Sequence, residues 1–209
     1  MFSFFKRFMN AISSRDTGVD SVEKEIEGFF AYFEIPLAPL ESTFDCFPAV
    51  TDMRRFGLDA YRVLFMPSAS SLLKLRSLIA DSGFDIALGR ISNFDILRHK
   101  NGETVFVGEY SEFGGAVFVL LTNSVHFLKL IHALKLTPTA PWIVFPDVDP
   151  EGLGRMEGEL GYWWENHWLQ FWETLSKEEQ DKYLEQNSAP AGWIEFFNFY
   201  AELNRPTQR

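Results

Sequence analysis

The chain has 209 residues, of which 46% are hydrophobic, and it carries a formal net charge of −10 at pH 7. That length and mixture are typical of a folded domain and exclude intrinsic disorder and fibrous repeats. The single cysteine excludes an intramolecular disulfide framework and suits a reducing compartment, so we expect a cytoplasmic location. The negative charge argues against nucleic-acid binding, which requires clustered Lys and Arg.

The first residues form an apolar segment that differs from a secretory signal. Lys6 and Arg7 interrupt the apolar run, whereas a signal places its cations before such a run. Four apolar residues recur at helical spacing, namely Phe2, Phe5, Met9 and Ile12. Residues 1–18 are therefore predicted to be an amphipathic terminal helix and a linker. That helix either docks on the body of the protein or lies on a membrane surface, because apolar runs elsewhere fall short of the roughly 20 residues of a spanning helix.

The remaining residues, 19–209, are predicted to form a single domain. Asp20 and Glu23 make a capping box for its first helix, which ends before Pro36. Strand-like patterns follow at residues 61–66, 84–88, 91–98, 104–107, 116–121 and 142–145.

Helix and turn signals separate these strands. Helices are predicted behind Ser70 and Ser124, which are suitable N-caps, and Asn101-Gly102 predicts a two-residue hairpin turn. Three helices are expected in the acidic, Trp-rich subregion 146–209: Met156–Leu175, Lys177–Gln186 behind a Ser176/Glu179 capping box, and Ala191–Leu203. The fold class is thus α+β, with a central antiparallel or mixed sheet of about 4–5 strands, helices before and after it, and an all-helical C-terminal third.

Negative charge is concentrated in that last third. Residues 147–202 contain 13 acidic and three basic side chains, which together carry the net charge of the whole chain. The same segment contains five of the six tryptophans. On one α-helix Trp164, Trp168 and Trp172 share a buried face, whereas Trp163 lies about 100° away from Trp164 and is predicted to be exposed.

A candidate metal site lies at the start of this segment. Asp147, Asp149 and Glu151 match the first ligand positions of a calcium loop, but Gly158 occupies the position of the bidentate glutamate. His126 and His132 are six residues apart and do not form the i, i+4 pair of a zinc site. Nucleotide-binding and hydrolase motifs are absent from the sequence, so no cofactor is predicted.

The size, the acidity and the stretch Gly161-Tyr162-Trp163-Trp164-Glu165-Asn166-His167-Trp168 resemble the small acidic immunity proteins of bacterial toxin/immunity pairs. This resemblance implies a cytoplasmic, non-catalytic inhibitor that covers or distorts the active site of a basic toxin. Tryptophan supplies anchor area in such an interface, and carboxylates speed the encounter with a basic protein. The predicted contact residues are Asp147, Asp149, Glu151, Glu157, Glu159, Trp163 and Glu165. The alternatives are a small carboxylate- and metal-dependent enzyme and a peripheral membrane protein that uses the terminal helix.

Overall fold

A computed structural model describes residues 29, 31–33, 35–40, 47–91, 94–152 and 157–203. These residues adopt an α+β fold, as the sequence predicts. The terminal helix and linker predicted at 1–18, the predicted helix behind Asp20 as far as residue 28, and Cys46 lie outside the described residues; near the end of that helix, Phe29 is helical.

The centre of the fold is a six-stranded antiparallel sheet. Its strands are β1 Val50–Asp52, β2 Tyr61–Phe65, β3 Asp85–Ile91, β4 Phe94–Arg98, β5 Thr104–Glu112 and β6 Gly115–Thr122. Their spatial order is β1-β2-β6-β5-β4-β3, and every neighbouring pair is antiparallel. Strand β6 lies between β2 and β5, and its residues 117–122 are all buried, so both faces of this strand are covered. The prediction of a strand at 116–121 is therefore confirmed, and its apolar run is that of a strand buried on both faces.

Two tight hairpins connect β4 to β5 and β5 to β6. The β4–β5 hairpin is confirmed, but its loop is longer than predicted: the His99 amide donates to Glu103 over 2.8 Å, and Gly102 adopts a φ of 89°. In the β5–β6 hairpin, Phe113 and Gly114 both have positive φ, of 52° and 71°. Two such residues form the turn that matches the twist of the flanking strands, so this turn begins one residue earlier than the Gly114-Gly115 pair indicates.

Seven α-helical segments surround the sheet in the described part of the chain. They are α1 Ala69–Asp81, α2 Val125–Ala133, α3 Pro141–Val144, α4 Gly158–Trp163, α5 Leu169–Trp172, α6 Lys177–Gln186 and α7 Ala191–Leu203. Ser124 caps α2 as predicted, and the Ser176/Glu179 capping box of α6 is complete. Helix α1 is capped by Ser68, whose hydroxyl accepts from the Ser71 amide, rather than by Ser70.

The prediction of a strand at 142–145 is wrong, because this segment forms the helical turn α3. Pro141 occupies its first turn, where a proline is favourable. The amide of Phe145 donates to the Pro141 carbonyl over 2.8 Å. Trp142 packs its ring against those of Trp168 and Trp193. An apolar run this short does not distinguish a strand from a buried helical turn by its period.

The long helix predicted at Met156–Leu175 is interrupted. Residues Trp164–Trp168 form a π-helical turn between α4 and α5, in which the Leu169 amide donates to the Trp164 carbonyl. The π turn brings residues five positions apart onto the same side of the helix. Trp163 and Trp168 accordingly stack, with ring centroids 6.0 Å apart and planes 19° from parallel. These rings anchor the helical third on the sheet.

Candidate partner-binding surface

The acidic residues of the helical third all face solvent. Each of the 13 between Asp147 and Glu202 is exposed. Among the described residues, one of these carboxylates forms an ion pair: Asp181 contacts Lys177 over 2.8 Å. Glu179 accepts hydrogen bonds from the amide and the hydroxyl of Ser176 in the capping box. Within the described part of the chain, the negative charge of this third is therefore exposed to solvent and is largely not paired with cations.

The predicted acidic turn is held against the last helix. Asp149 Oδ1 accepts from the Glu151 amide over 3.0 Å, which fixes the start of a 3₁₀ turn at Pro150–Gly152. Pro150 packs on Gly192 of α7, where an added Cβ atom would lie only 3.3 Å from the proline Cγ. The small residue at 192 thus lets the turn approach, and the exposed Asp149 and Glu151 lie at the start of α7.

Helix α7 continues this acidic surface along its axis. At about 100° per residue, Glu195, Phe199 and Glu202 lie within about 60° of one another around the helix. Gly192, which carries the acidic turn, lies on the same side, about 10 Å before Phe199 along the axis. We call the group formed by Asp149, Glu151, Glu195 and Glu202, with Phe199 among them, the acidic stripe.

Phe199 is the exposed aromatic residue of the acidic stripe. Its exposed fraction is 59%, although the rings next to it in sequence pack into the helical core: Phe197 is buried and Tyr200 contacts Trp164. Ile194, at 38%, and Ile143, at 60%, are also exposed. A large ring that is open to water and flanked by carboxylates has the composition of an interface anchor. The feature of the sequence that could have indicated an exposed ring is that α7 is apolar on nearly every side.

The prediction that Trp163 is exposed is wrong. Its exposed fraction is 0%, and its indole Nε1 donates to the Met66 sulfur over 3.3 Å. The prediction assumed a continuous α-helix, in which Trp163 and Trp168 lie on different faces. The π turn rotates the chain so that both rings enter the core. Trp163 therefore belongs to the core and is not available as a contact residue.

The other predicted contact residues are exposed and fall into two groups. Asp147 precedes the acidic turn, whereas Glu157 and Glu159 begin α4 and Glu165 lies in the π-helical turn. As a metal site, the trio of Asp147, Asp149 and Glu151 lacks support. In the described ranges, the His, Cys, Asp and Glu side chains do not form a group of three or more that is able to hold a metal ion.

A buried polar cluster beside β2 has no counterpart in the sequence analysis. Arg62 of β2 is only partly exposed, and its Nε and Nη1 atoms are buried with no hydrogen-bond partner in the described part of the chain. Burial lowers the pKa of Arg62 to about 10. His167 is fully buried, both of its ring nitrogens are unpartnered among the described residues, and burial lowers its pKa to about 4. The feature of the sequence that could have indicated this cluster is a single arginine within the apolar run of a strand.

Two tyrosines complete this cluster. Burial raises the pKa of Tyr110 and of Tyr162; the negative charge of Glu112 adds to this effect and the positive charge of Arg62 opposes it. The ring of Tyr162 lies 6.1 Å from that of His167 and stacks on Phe113 at 6.3 Å. We call Arg62, Tyr110, Tyr162 and His167 the Arg62 cluster.

No helix among the described residues has the length and apolar character that are needed to cross a membrane. Comparisons with protein-family models, with curated proteins and with solved structures find no match for this chain.

Proposed function

We propose that this protein is a non-catalytic binding protein that recognises a basic protein partner through the acidic surface of its helical third. The observation that carries the proposal is that all 13 carboxylates of this third are exposed and a single one is ion-paired in the described structure. Exposed like charges that are gathered on one part of a protein create a field that speeds encounter with a partner of opposite charge.

The acidic stripe supplies both parts of such an interface. Charge alone mainly raises the association rate, and a stable complex also needs apolar anchors that are removed from water. Phe199 is a suitable anchor because its ring is already exposed between Glu195 and Glu202. The proposed contact surface therefore consists of the acidic stripe together with Asp147, Glu157, Glu159 and Glu165, and Phe199 takes the anchoring role that the sequence assigns to Trp163.

The resemblance to immunity proteins makes this proposal more specific: the partner is a toxin, and the complex inhibits it in the cytoplasm. Carboxylates on a rigid helix are suited to occupy a basic cleft that receives phosphates. In this form of the proposal, the partner has an enzymatic activity that disappears when the complex forms.

The test is affinity capture from an extract of the source cells, followed by kinetic measurement with the purified partner. We expect a basic protein to be retained at low salt and released at about 0.5 M salt, where exposed charges are strongly screened. The Phe199→Ser variant should dissociate at least about tenfold faster, as expected for an interface anchor. A matched control, Leu73→Ser, removes an exposed apolar residue of α1 and should leave dissociation unchanged. Equal dissociation of both variants would refute the assignment of Phe199.

A further inference from the structure

Arg62 is a charged residue in a position where an apolar residue would be more stable. Strand β2 reads Tyr-Arg-Val-Leu-Phe, and Tyr61, Val63, Leu64 and Phe65 are all buried. Removing a guanidinium from water without giving it hydrogen-bond acceptors is unfavourable, and a well-packed apolar side chain avoids that penalty. Sites that violate such a local rule are often functional.

The sheet register brings the neighbours of Arg62 onto one face. Arg62 lies opposite Leu121 of β6, which lies opposite Phe106 of β5. Side chains alternate along a strand, so Tyr110 and Glu112 project from the same face as Phe106 and Arg62. Helix α4 adds Tyr162, whose ring stacks on that of Phe113, the residue after Glu112. The positive charge of Arg62 also acts to lower the pKa of Tyr162. Arg62, Tyr110 and Tyr162 are each partly exposed, whereas the Nε and Nη1 atoms of Arg62 are buried. A ligand therefore approaches the group from its partly exposed side.

His167 lies beside the rings of Tyr162 and Phe113. Its ring is fully buried, and the ring centroid is 6.1 Å from that of Tyr162 and 6.1 Å from that of Phe113. The backbone around it is unusual at two places. His167 lies within the π-helical turn, and Phe113 adopts a positive φ of 52°. The φ of Phe113 belongs to the β5–β6 hairpin turn, whereas a π-helical turn is uncommon and is found frequently at functional sites.

The chemistry of the Arg62 cluster matches an oxyanion. A guanidinium has donors and no acceptor, a phenol is able to donate its hydroxyl hydrogen, and a neutral imidazole has one donor nitrogen. A carboxylate or a phosphate is the partner that such donors recognise best. The rings of Tyr162 and Phe113, which stack at 6.3 Å, distinguish between these two anions, because an aryl carboxylate makes contact with such rings and inorganic phosphate does not.

We propose that the Arg62 cluster is a binding site for a small ligand with a singly charged carboxylate group, held by the guanidinium of Arg62 and the hydroxyl of Tyr162. The aromatic rings of Tyr162 and Phe113 beside these donors favour a ligand whose carboxylate is attached to a planar apolar group. This site uses residues of β2, β5 and α4, so it is separate from the acidic stripe on α7.

The experiment is a calorimetric and NMR titration of the full chain with benzoate, acetate and inorganic phosphate. We expect benzoate to bind saturably, to bind more tightly than acetate, and to shift the Nε–H resonance of Arg62. Phosphate should bind more weakly than benzoate. The proposal would be overturned if phosphate bound more tightly than benzoate, or if neither benzoate nor acetate bound saturably.

Substitutions distinguish benzoate binding at this site from unspecific binding of anions to other cations of the protein. Arg62→Met should weaken benzoate binding by about tenfold or more, which is the loss expected for one charge-assisted hydrogen bond. Arg90→Met removes an exposed arginine of β3, on the edge of the sheet that is far from β2, and should bind benzoate as the wild type does. Tyr162→Phe keeps the ring, and it provides an independent test in case the Arg62 variant does not fold. Unchanged benzoate affinity in both Arg62→Met and Tyr162→Phe, or in whichever of them folds, would overturn the proposal.

Discussion

Burial of His167 makes the stability of the protein depend on pH in a way that one substitution removes. The imidazole is fully buried, and desolvation lowers its pKa from 6.5 to about 4. The folded protein therefore holds this ring neutral, while the unfolded chain binds a proton below its ordinary pKa. Between these two values the unfolded state binds more protons, so the free energy of unfolding falls as the pH is lowered.

The size of this effect follows from the two pKa values. With a pKa of 6.5 unfolded and about 4 folded, His167 lowers the free energy of unfolding by about 2 kcal/mol at about pH 5, relative to about pH 8. The full loss approaches about 3 kcal/mol below the folded pKa. This stability is present above the unfolded pKa and is lost as the pH falls towards the folded one.

Urea unfolding followed by tryptophan fluorescence measures this loss. The His167→Leu variant replaces the ring with an apolar side chain of similar size, so its loss between about pH 8 and about pH 5 should be about 2 kcal/mol smaller than that of the wild type. The control His126→Leu removes an exposed histidine of α2 and should retain the wild-type loss. A buffer without carboxylate avoids binding at the Arg62 cluster. If His167→Leu and the wild type lose the same stability, His167 does not carry the effect.

Three further substitutions test the packing around the sheet and helices by urea unfolding. Trp163→Phe should cost about 2 kcal/mol, because the indole is fully buried and donates to the Met66 sulfur; a loss below about 0.5 kcal/mol is typical of an exposed residue and would contradict its burial. Gly108→Ala should cost about 1–3 kcal/mol, because the new Cβ would lie 2.8 Å from the buried Phe94 ring, and unchanged stability would show that the ring yields freely. Ser176→Ala removes the N-cap of α6 and should cost about 1 kcal/mol; no loss would mean that the capping box contributes nothing.

Elements with strong local signals were predictable from the sequence. The Ser176/Glu179 capping box, the Asn101-Gly102 hairpin and the apolar strand β6 each depend on residues within a few positions of one another. These interactions are local, so the structure contains all three elements, and their first and last residues differ only slightly from the predicted ones. The exposure of the carboxylates in the helical third was also predictable, because carboxylates without buried partners remain at the surface.

Features that depend on packing were not predictable. The orientation of Trp163 follows from a π turn, and α3 differs from a strand only through the contacts of Trp142. The Arg62 cluster joins residues that are up to about a hundred positions apart through the order of the strands and the packing of α4, neither of which has a local signal in the sequence. Phe199 was not predicted to be exposed, because its helix is apolar on nearly every side and its sequence does not indicate which ring faces solvent.

The most direct test of the central claim is the rate of association with the captured partner at several salt concentrations. The variant Glu151→Lys/Glu195→Lys reverses two charges of the acidic stripe, and Asp59→Lys/Asp81→Lys reverses two exposed charges outside the helical third. We predict that the first variant associates at least about tenfold more slowly than the wild type at low salt, that this difference shrinks at about 0.5 M salt, and that the control matches the wild type. Equal association rates for the two variants at low salt would contradict recognition through the acidic stripe.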